Sequence, residues 1–238
     1  MVASKVNGKG WILAPNNHSM ASLSMIVALL LFNAIIPSSA LEFKYFAIGS
    51  NMYTGTMTAL REIKYLDATA GILPGYKLRF NLPGTPLIEP SWASVQPSSD
   101  PRDYVHGVLY SLTPSDFARL SISEGVPFGY RWQECRVTPY LGDGNCAGRN
   151  AVRDKESACV KANVLVTTNP FLWRDIPPSK AYRDLLIRGA LEFQMDQDYI
   201  AFLESVPIGR TIGDGLIAKD LLEAAERREA NNNSRKER

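Results

Sequence analysis

Phe43-Lys44-Tyr45-Phe46-Ala47-Ile48-Gly49-Ser50-Asn51-Met52 is an aromatic-rich apolar run that stops abruptly at Gly-Ser-Asn. Its composition predicts a buried strand over Phe43–Ile48, and the Gly-Ser-Asn step predicts a tight loop directly after it. Glycine lets the chain bend and leaves the neighbouring amides uncovered, so the loop is suited to cradle an anion or a developing oxyanion. A lone carboxylate opposite such a loop would make a small acid/base site without metal or cofactor. Glu124, just before Gly125 at the end of an expected short helix, is the candidate. A helix C-terminus disfavours negative charge, so the residue is either an ordinary surface carboxylate or one held there for proton transfer.

Composition narrows the chemistry. The chain has 238 residues, 45% hydrophobic and 21% charged, which suits one globular domain with additional segments. Its 26 basic and 24 acidic residues leave a net charge of +2, too balanced for a nucleic-acid-binding surface. Of the two histidines, His18 lies in the N-terminal segment and His106 in an expected strand, where it packs or hydrogen-bonds. No metal triad or Ser-His-Asp system can be built on that supply, and no phosphate-binding glycine motif follows a strand. Cys135, Cys146 and Cys159 have neither CxxC spacing nor partner histidines, and read as free thiols or as one Cys146–Cys159 bridge. Carboxylates, tyrosines and backbone amides are what remains.

Three segments are expected. Residues 1–40 contain the apolar run Met20–Ile36 followed by Pro37-Ser38-Ser39-Ala40, which reads as a signal peptide, a membrane anchor or a non-functional extension. Cleavage after Ala40 would leave very little chain before the first strand, which favours anchoring. Membrane or secretory-pathway association follows if this leader functions, and a cytoplasmic location if it does not. Residues 41–210 form the main domain, and residues 211–238 a C-terminal helix (Leu216–Arg228) with a frayed basic tail.

Within the main domain, strands are expected at Phe43–Ile48, Tyr76–Phe80, Trp92–Val95, Val105–Leu112, Arg131–Leu141 and Ala158–Thr167. Helices are expected at Thr56–Tyr65, from Thr113-Pro114 to Ser123, at Lys180–Phe193 and at Asp196–Ser205. Asn81–Pro101, rich in proline and serine, should be largely irregular, and Gly142–Ser157 a long polar loop. Strands and helices do not alternate regularly, so an α+β domain is favoured over a doubly wound sheet.

Three motifs in order resemble the γ-glutamylcyclotransferase (AIG2-like) family, from Phe43 to about Val206. They are Phe46-Ala47-Ile48-Gly49-Ser50-Asn51-Met52; then Gly107-Val108-Leu109-Tyr110 with Leu112, Leu120 and Glu124-Gly125; and lastly Thr168-Asn169, Pro177-Pro178-Ser179, Tyr182 and Gly189-Ala190. The resemblance implies a small, mixed, mostly antiparallel β-barrel with flanking helices and a cofactor-free reaction on a small-molecule γ-glutamyl amide. The substrate's α-amine attacks its own γ-carbonyl, releasing 5-oxoproline and an amine or amino acid. By resemblance Glu124 is the general acid/base, Ile48, Gly49, Ser50, Asn51 and Met52 bind substrate, and Tyr182 lines the pocket or hydrogen-bonds the glutamyl group. Family members recruited to secondary metabolism make glutathione conjugates a candidate substrate class. Two positions depart from the pattern: Ile48 and Leu165 (or Val164) stand where relatives carry tyrosine. That departure keeps two alternatives in view, a membrane-tethered binding module without catalysis and γ-glutamyl transfer to an external amine.

Overall fold

The computed structural model describes residues 41–140, 159–168 and 174–215, with isolated helical positions between 219 and 230. The leader, the loop Gly142–Ser157, Cys146, Asn169 and most of the C-terminal helix and tail lie outside the described residues. Cys135 and Cys159 are both free thiols.

Five strands close into a barrel in the order β1-β5-β2-β6-β7. They are β1 (Phe43–Ala47), β2 (Asp67–Pro74), β5 (Tyr104–Leu112), β6 (Tyr130–Pro139) and β7 (Val160–Thr167). All neighbours pair antiparallel except β1 and β7, whose parallel pairing of Tyr45 with Asn163 and Phe46 with Val164 seals the cylinder. β5 is the spine. It pairs on both sides, with β1 and β2, and eight of its nine residues are buried. Doubly paired, doubly covered strands read as continuous apolar runs, which is why Val105–Leu112 stands out in the sequence. The barrel is the expected mixed, mostly antiparallel one.

β3 (Tyr76–Thr85) and β4 (Glu89–Pro97) form a separate two-stranded ribbon, broken by a register shift between Arg79 and Leu82. The sequence suggested irregular chain here because of Pro83, Pro86, Pro90 and Pro97. A two-stranded ribbon has only edge strands, and edges tolerate residues that donate no ladder hydrogen bond. The expected helix over Thr56–Tyr65 is also different: it is a single wide turn, Thr56–Leu60, in which the Arg61 N–H bonds the Thr56 carbonyl at 3.3 Å.

Among the described residues three continuous α-helices flank the barrel: α1 (Pro114–Ser123), α2 (Lys180–Glu192) and α3 (Gln197–Ser205). Thr113 caps α1 through the Asp116 N–H with Pro114 at the first helical position, as its sequence predicts. Ser179 caps α2 through the Tyr182 N–H at 3.0 Å. The fully buried Glu89 of β4 accepts from the Ser179 N–H (3.1 Å) and Oγ–H (2.6 Å), tying the ribbon to the start of α2. Farther along α2, Gly189 lies against the backbone of Met52 and Tyr53. A Cβ there would fall 2.5 Å from Met52, so only glycine lets the helix seat on the Gly-Ser-Asn loop.

His106 sits inside this framework as a packing residue. It is fully buried in β5, its Nδ1 bonds the Tyr140 hydroxyl, and its ring lies 4.5 Å from that of Tyr199. Burial holds the imidazole down to about 4, against an ordinary value of 6.5. The unfolded chain therefore binds a proton between those values that the folded chain refuses. Stability against urea is expected to climb as pH rises from about 4 to 6.5, and a His106→Asn variant to flatten that rise. An unaltered slope in the variant would place the acid sensitivity elsewhere.

Candidate active site

Glu124 terminates α1, its N–H bonding the Leu120 carbonyl, and Gly125 then reverses the chain with φ +69°. The reversal turns the carboxylate inward, where its side chain is 10% exposed. Oε1 carries both of its polar contacts: Asn51 Nδ2 donates at 2.7 Å and Arg61 Nη2 lies at 2.8 Å. Oε2 receives no donor from the described residues. One oxygen is anchored and the other is open to take and return a proton.

Asn51 is the hub of this arrangement. Its amide nitrogen also donates to the Tyr45 hydroxyl (2.9 Å), its Oδ1 accepts from Arg61 Nε (2.9 Å), and its carbonyl accepts from the Tyr110 hydroxyl (3.0 Å). Arg61 completes its fork by donating from Nη1 to Ser123 Oγ at 2.7 Å. The loop after β1, the wide turn after it and the end of α1 thus meet through three side chains. The expected pairing of the Gly-Ser-Asn loop with Glu124 is made, and the Asn51 side chain makes it.

Tyr182, one turn into α2, supplies the opposite wall. Its hydroxyl accepts the Ala93 N–H at 3.1 Å, leaving its own proton to donate. Burial pushes the phenol well above its ordinary range, so it remains a neutral donor at any physiological pH. Gly49 makes the approach feasible, because a Cβ there would stand 2.7 Å from the Tyr182 oxygen. Trp92 braces the ring edge-on at 5.1 Å, and Tyr130 donates to the Ala93 carbonyl at 2.6 Å. One amide of the Gly-Ser-Asn loop is used within the loop itself, where the Met52 N–H bonds the Gly49 carbonyl at 2.9 Å.

Ser50, Glu124, Tyr130 and Tyr182 face a cavity of about 530 Å³ whose remaining walls are Thr56, Leu60, Arg61, Leu82, Trp92 and Ser123. A narrow recess of about 20 Å³ adjoins it, lined by Tyr45, Ile48, Gly49, Asn51, Leu165 and others. Of the sequence-predicted residues, Glu124, Ile48, Gly49, Ser50, Asn51 and Tyr182 all come together here, whereas the Met52 side chain is fully buried in the core. Ile48 and Leu165 make one side of the recess apolar, but Tyr45 and Tyr130 bring phenols into it from other strand positions. Sequence reasoning missed Arg61, Thr56, Tyr45, Tyr130 and Trp92. Tyr45 carried a signal, since it lies within the quoted run; the others depend on tertiary folding. Among the described residues no cluster of His, Cys, Asp and Glu could hold a metal ion.

The barrel is shared with solved structures. A γ-glutamyl cyclotransferase structure superposes with a TM-score of 0.60 at 22% identity, covering 79% of this chain and 99% of its own. An uncharacterised human protein superposes with a TM-score of 0.59, covering 76% and 98%. The profile of the AIG2-like family matches residues 104–203. The chain is 32% identical over 179 residues to the γ-glutamyl cyclotransferase gliK of Aspergillus fumigatus, covering 68% of this chain and 62% of that protein. In sequence and in fold the chain is similar to γ-glutamylcyclotransferases. A second γ-glutamyl cyclotransferase, aclK of Aspergillus oryzae, is 27% identical over 169 residues, covering 66% of this chain and 58% of its own. The chain thus spans about three fifths of the length of the curated γ-glutamyl cyclotransferases it matches. No helix among the described residues is long and apolar enough to cross a membrane.

Proposed function

We propose that the protein converts a γ-glutamyl amide to 5-oxoproline and a free amine. The observation that carries the reading is the single carboxylate Glu124, anchored through one oxygen and open at the other, in a cavity it shares with a phenol that has a free proton. Oε2 of Glu124 takes a proton from the substrate's α-ammonium. The freed nitrogen lone pair attacks the γ-carbonyl carbon, and the carbonyl oxygen gains negative charge beside the Tyr182 hydroxyl. Collapse of the tetrahedral centre breaks the bond to the leaving nitrogen, which recovers that proton from Glu124; the ring nitrogen gives up its second proton by way of the same carboxylate, and the amine departs in its ammonium form. No water is consumed and no enzyme nucleophile is required. Holding a substrate in ring-closing geometry can itself supply roughly 7–11 kcal/mol in favourable cases, and a preorganised oxyanion donor adds about 3–4 kcal/mol.

The dimensions favour a substrate with more than a small amino acid on the leaving nitrogen. The larger cavity has room for the glutamyl group against Glu124 and Arg61 and for a bulky leaving group against Leu60, Leu82 and Trp92. An S-substituted glutathione places a bulky apolar group on that side, in keeping with the secondary-metabolism setting the family resemblance suggests. 5-Oxoproline release should be fastest with an S-aryl glutathione and slower with glutathione and γ-glutamyl-alanine. Trp92→Ala should raise KM for the S-aryl conjugate about 10-fold through lost apolar contact, with a smaller change for γ-glutamyl-alanine. Equal turnover of all three substrates, equally affected by the variant, would contradict the bulky-conjugate assignment.

A further inference from the structure

Among the described residues Arg61 is the one cation in the cavity wall, and its role need not end at Glu124. The α-amine of a γ-glutamyl group shares its carbon with a carboxylate. A substrate whose ammonium reaches Glu124 Oε2 therefore carries a negative charge two bonds away, beside the guanidinium that lies 2.8 Å from Oε1. The Arg61–Glu124 pair and the substrate's ammonium–carboxylate pair are charge-complementary. A second observation marks the same wall. Thr56 Oγ1 is buried, has no hydrogen-bond partner, and belongs to a residue lining the cavity. The wide turn places Thr56 and Arg61 in register through the Arg61 N–H to Thr56 carbonyl bond. Single wide turns of this kind recur at ligand sites, where they re-aim side chains.

We propose that Arg61, with the Thr56 hydroxyl, binds the α-carboxylate of the substrate and so makes the site specific for γ-glutamyl groups. This rests on the function proposed above. Asn51, Ser123 and Glu124 use three of the five guanidinium N–H groups, and the two left on the terminal nitrogens can receive the substrate's carboxylate while Glu124 stays held. Oxyanion binding then falls to Tyr182, and carboxylate binding to the opposite wall. A second source of carboxylate is the far end of a peptide leaving group, and the test separates the two by using substrates without one.

Full-length protein is given γ-glutamyl-anilide and 4-aminobutyryl-anilide, which lacks only the α-carboxylate and closes to pyrrolidin-2-one. Inhibition by 5-oxoproline and by pyrrolidin-2-one is measured alongside. Wild type should favour the carboxylate-bearing member of each pair by roughly 10–100-fold. Arg61→Gln should lower turnover of both anilides, because it also loosens Glu124, but should erase most of that preference. Thr56→Val should narrow it, and Arg61→Lys should retain part of it. If turnover of 4-aminobutyryl-anilide is undetectable, the inhibition pair gives the same comparison. An unchanged preference in Arg61→Gln, with both anilides reduced equally, would overturn the proposal and leave Arg61 as a positioning residue for Glu124. Absence of 5-oxoproline from any γ-glutamyl substrate with wild type would instead overturn the proposed function itself.

Discussion

Glu124→Gln is expected to lower 5-oxoproline release by roughly 10³-fold or more, near the upper range for loss of a positioned proton-transfer group. Glutamine keeps the shape and an oxygen that can accept from Asn51 Nδ2, now at 2.7 Å from Oε1, but it cannot take the α-ammonium proton. The substitution leaves Arg61 bonded to Asn51 Oδ1 and Ser123 Oγ, so stability should change by only about 1 kcal/mol. Substrate affinity should be largely retained, since the rest of the cavity wall, Arg61, Trp92 and Tyr182 among it, is unchanged. The effect should therefore appear in kcat. Turnover within tenfold of wild type by a folded Glu124→Gln protein would move the acid/base role to another group.

Tyr182→Phe should be the next most damaging change, lowering kcat about 10²–10³-fold through loss of the donor facing the developing oxyanion. It also has a structural cost that Glu124→Gln lacks. The Ala93 N–H donates to the missing oxygen, and a buried donor left without a partner costs about 1–3 kcal/mol. Tyr182→Phe should thus lose both rate and thermal stability. Gly49→Ala tests the same contact from the other side, because its Cβ would stand 2.7 Å from the phenol oxygen. A comparable drop in kcat for Gly49→Ala, with the tyrosine still present, would confirm that the placement of the hydroxyl matters as well as its presence. Full activity in Tyr182→Phe would show that the γ-carbonyl is polarised elsewhere.

The parts of the molecule legible in the sequence are those governed by local chemistry. The caps Thr113-Pro114 and Ser179 set their helices through side-chain bonds to residues three positions on. Val105–Leu112 reads as a strand because pairing on both sides buries nearly all of it. The β3–β4 ribbon was obscured because proline normally opposes strand, and only its two-edged isolation lets Pro83, Pro90 and Pro97 remain. At the site, Glu124 and Asn51 were visible because loop chemistry and the motif order both mark them. Arg61 was not: it follows a wide turn rather than a regular helix, and nothing local says that its side chain reaches Asn51, Ser123 and Glu124 together. The tyrosines missing at Ile48 and Leu165 suggested a depleted pocket. Tyr45 and Tyr130 enter the same recess from β1 and β6, a substitution across strands that one-dimensional comparison cannot display.

The central claim is that the substrate's own amine, rather than water or an external amine, closes on the γ-carbonyl. The most direct test is turnover of a γ-glutamyl amide by the full chain in water enriched in ¹⁸O, with a second amine present as a competing acceptor, followed by mass spectrometry of the glutamyl product. Intramolecular closure predicts unlabelled 5-oxoproline, formed one for one with the released amine and unaffected by the acceptor. Glutamate carrying ¹⁸O, or a linear γ-glutamyl product of the added amine, would contradict it.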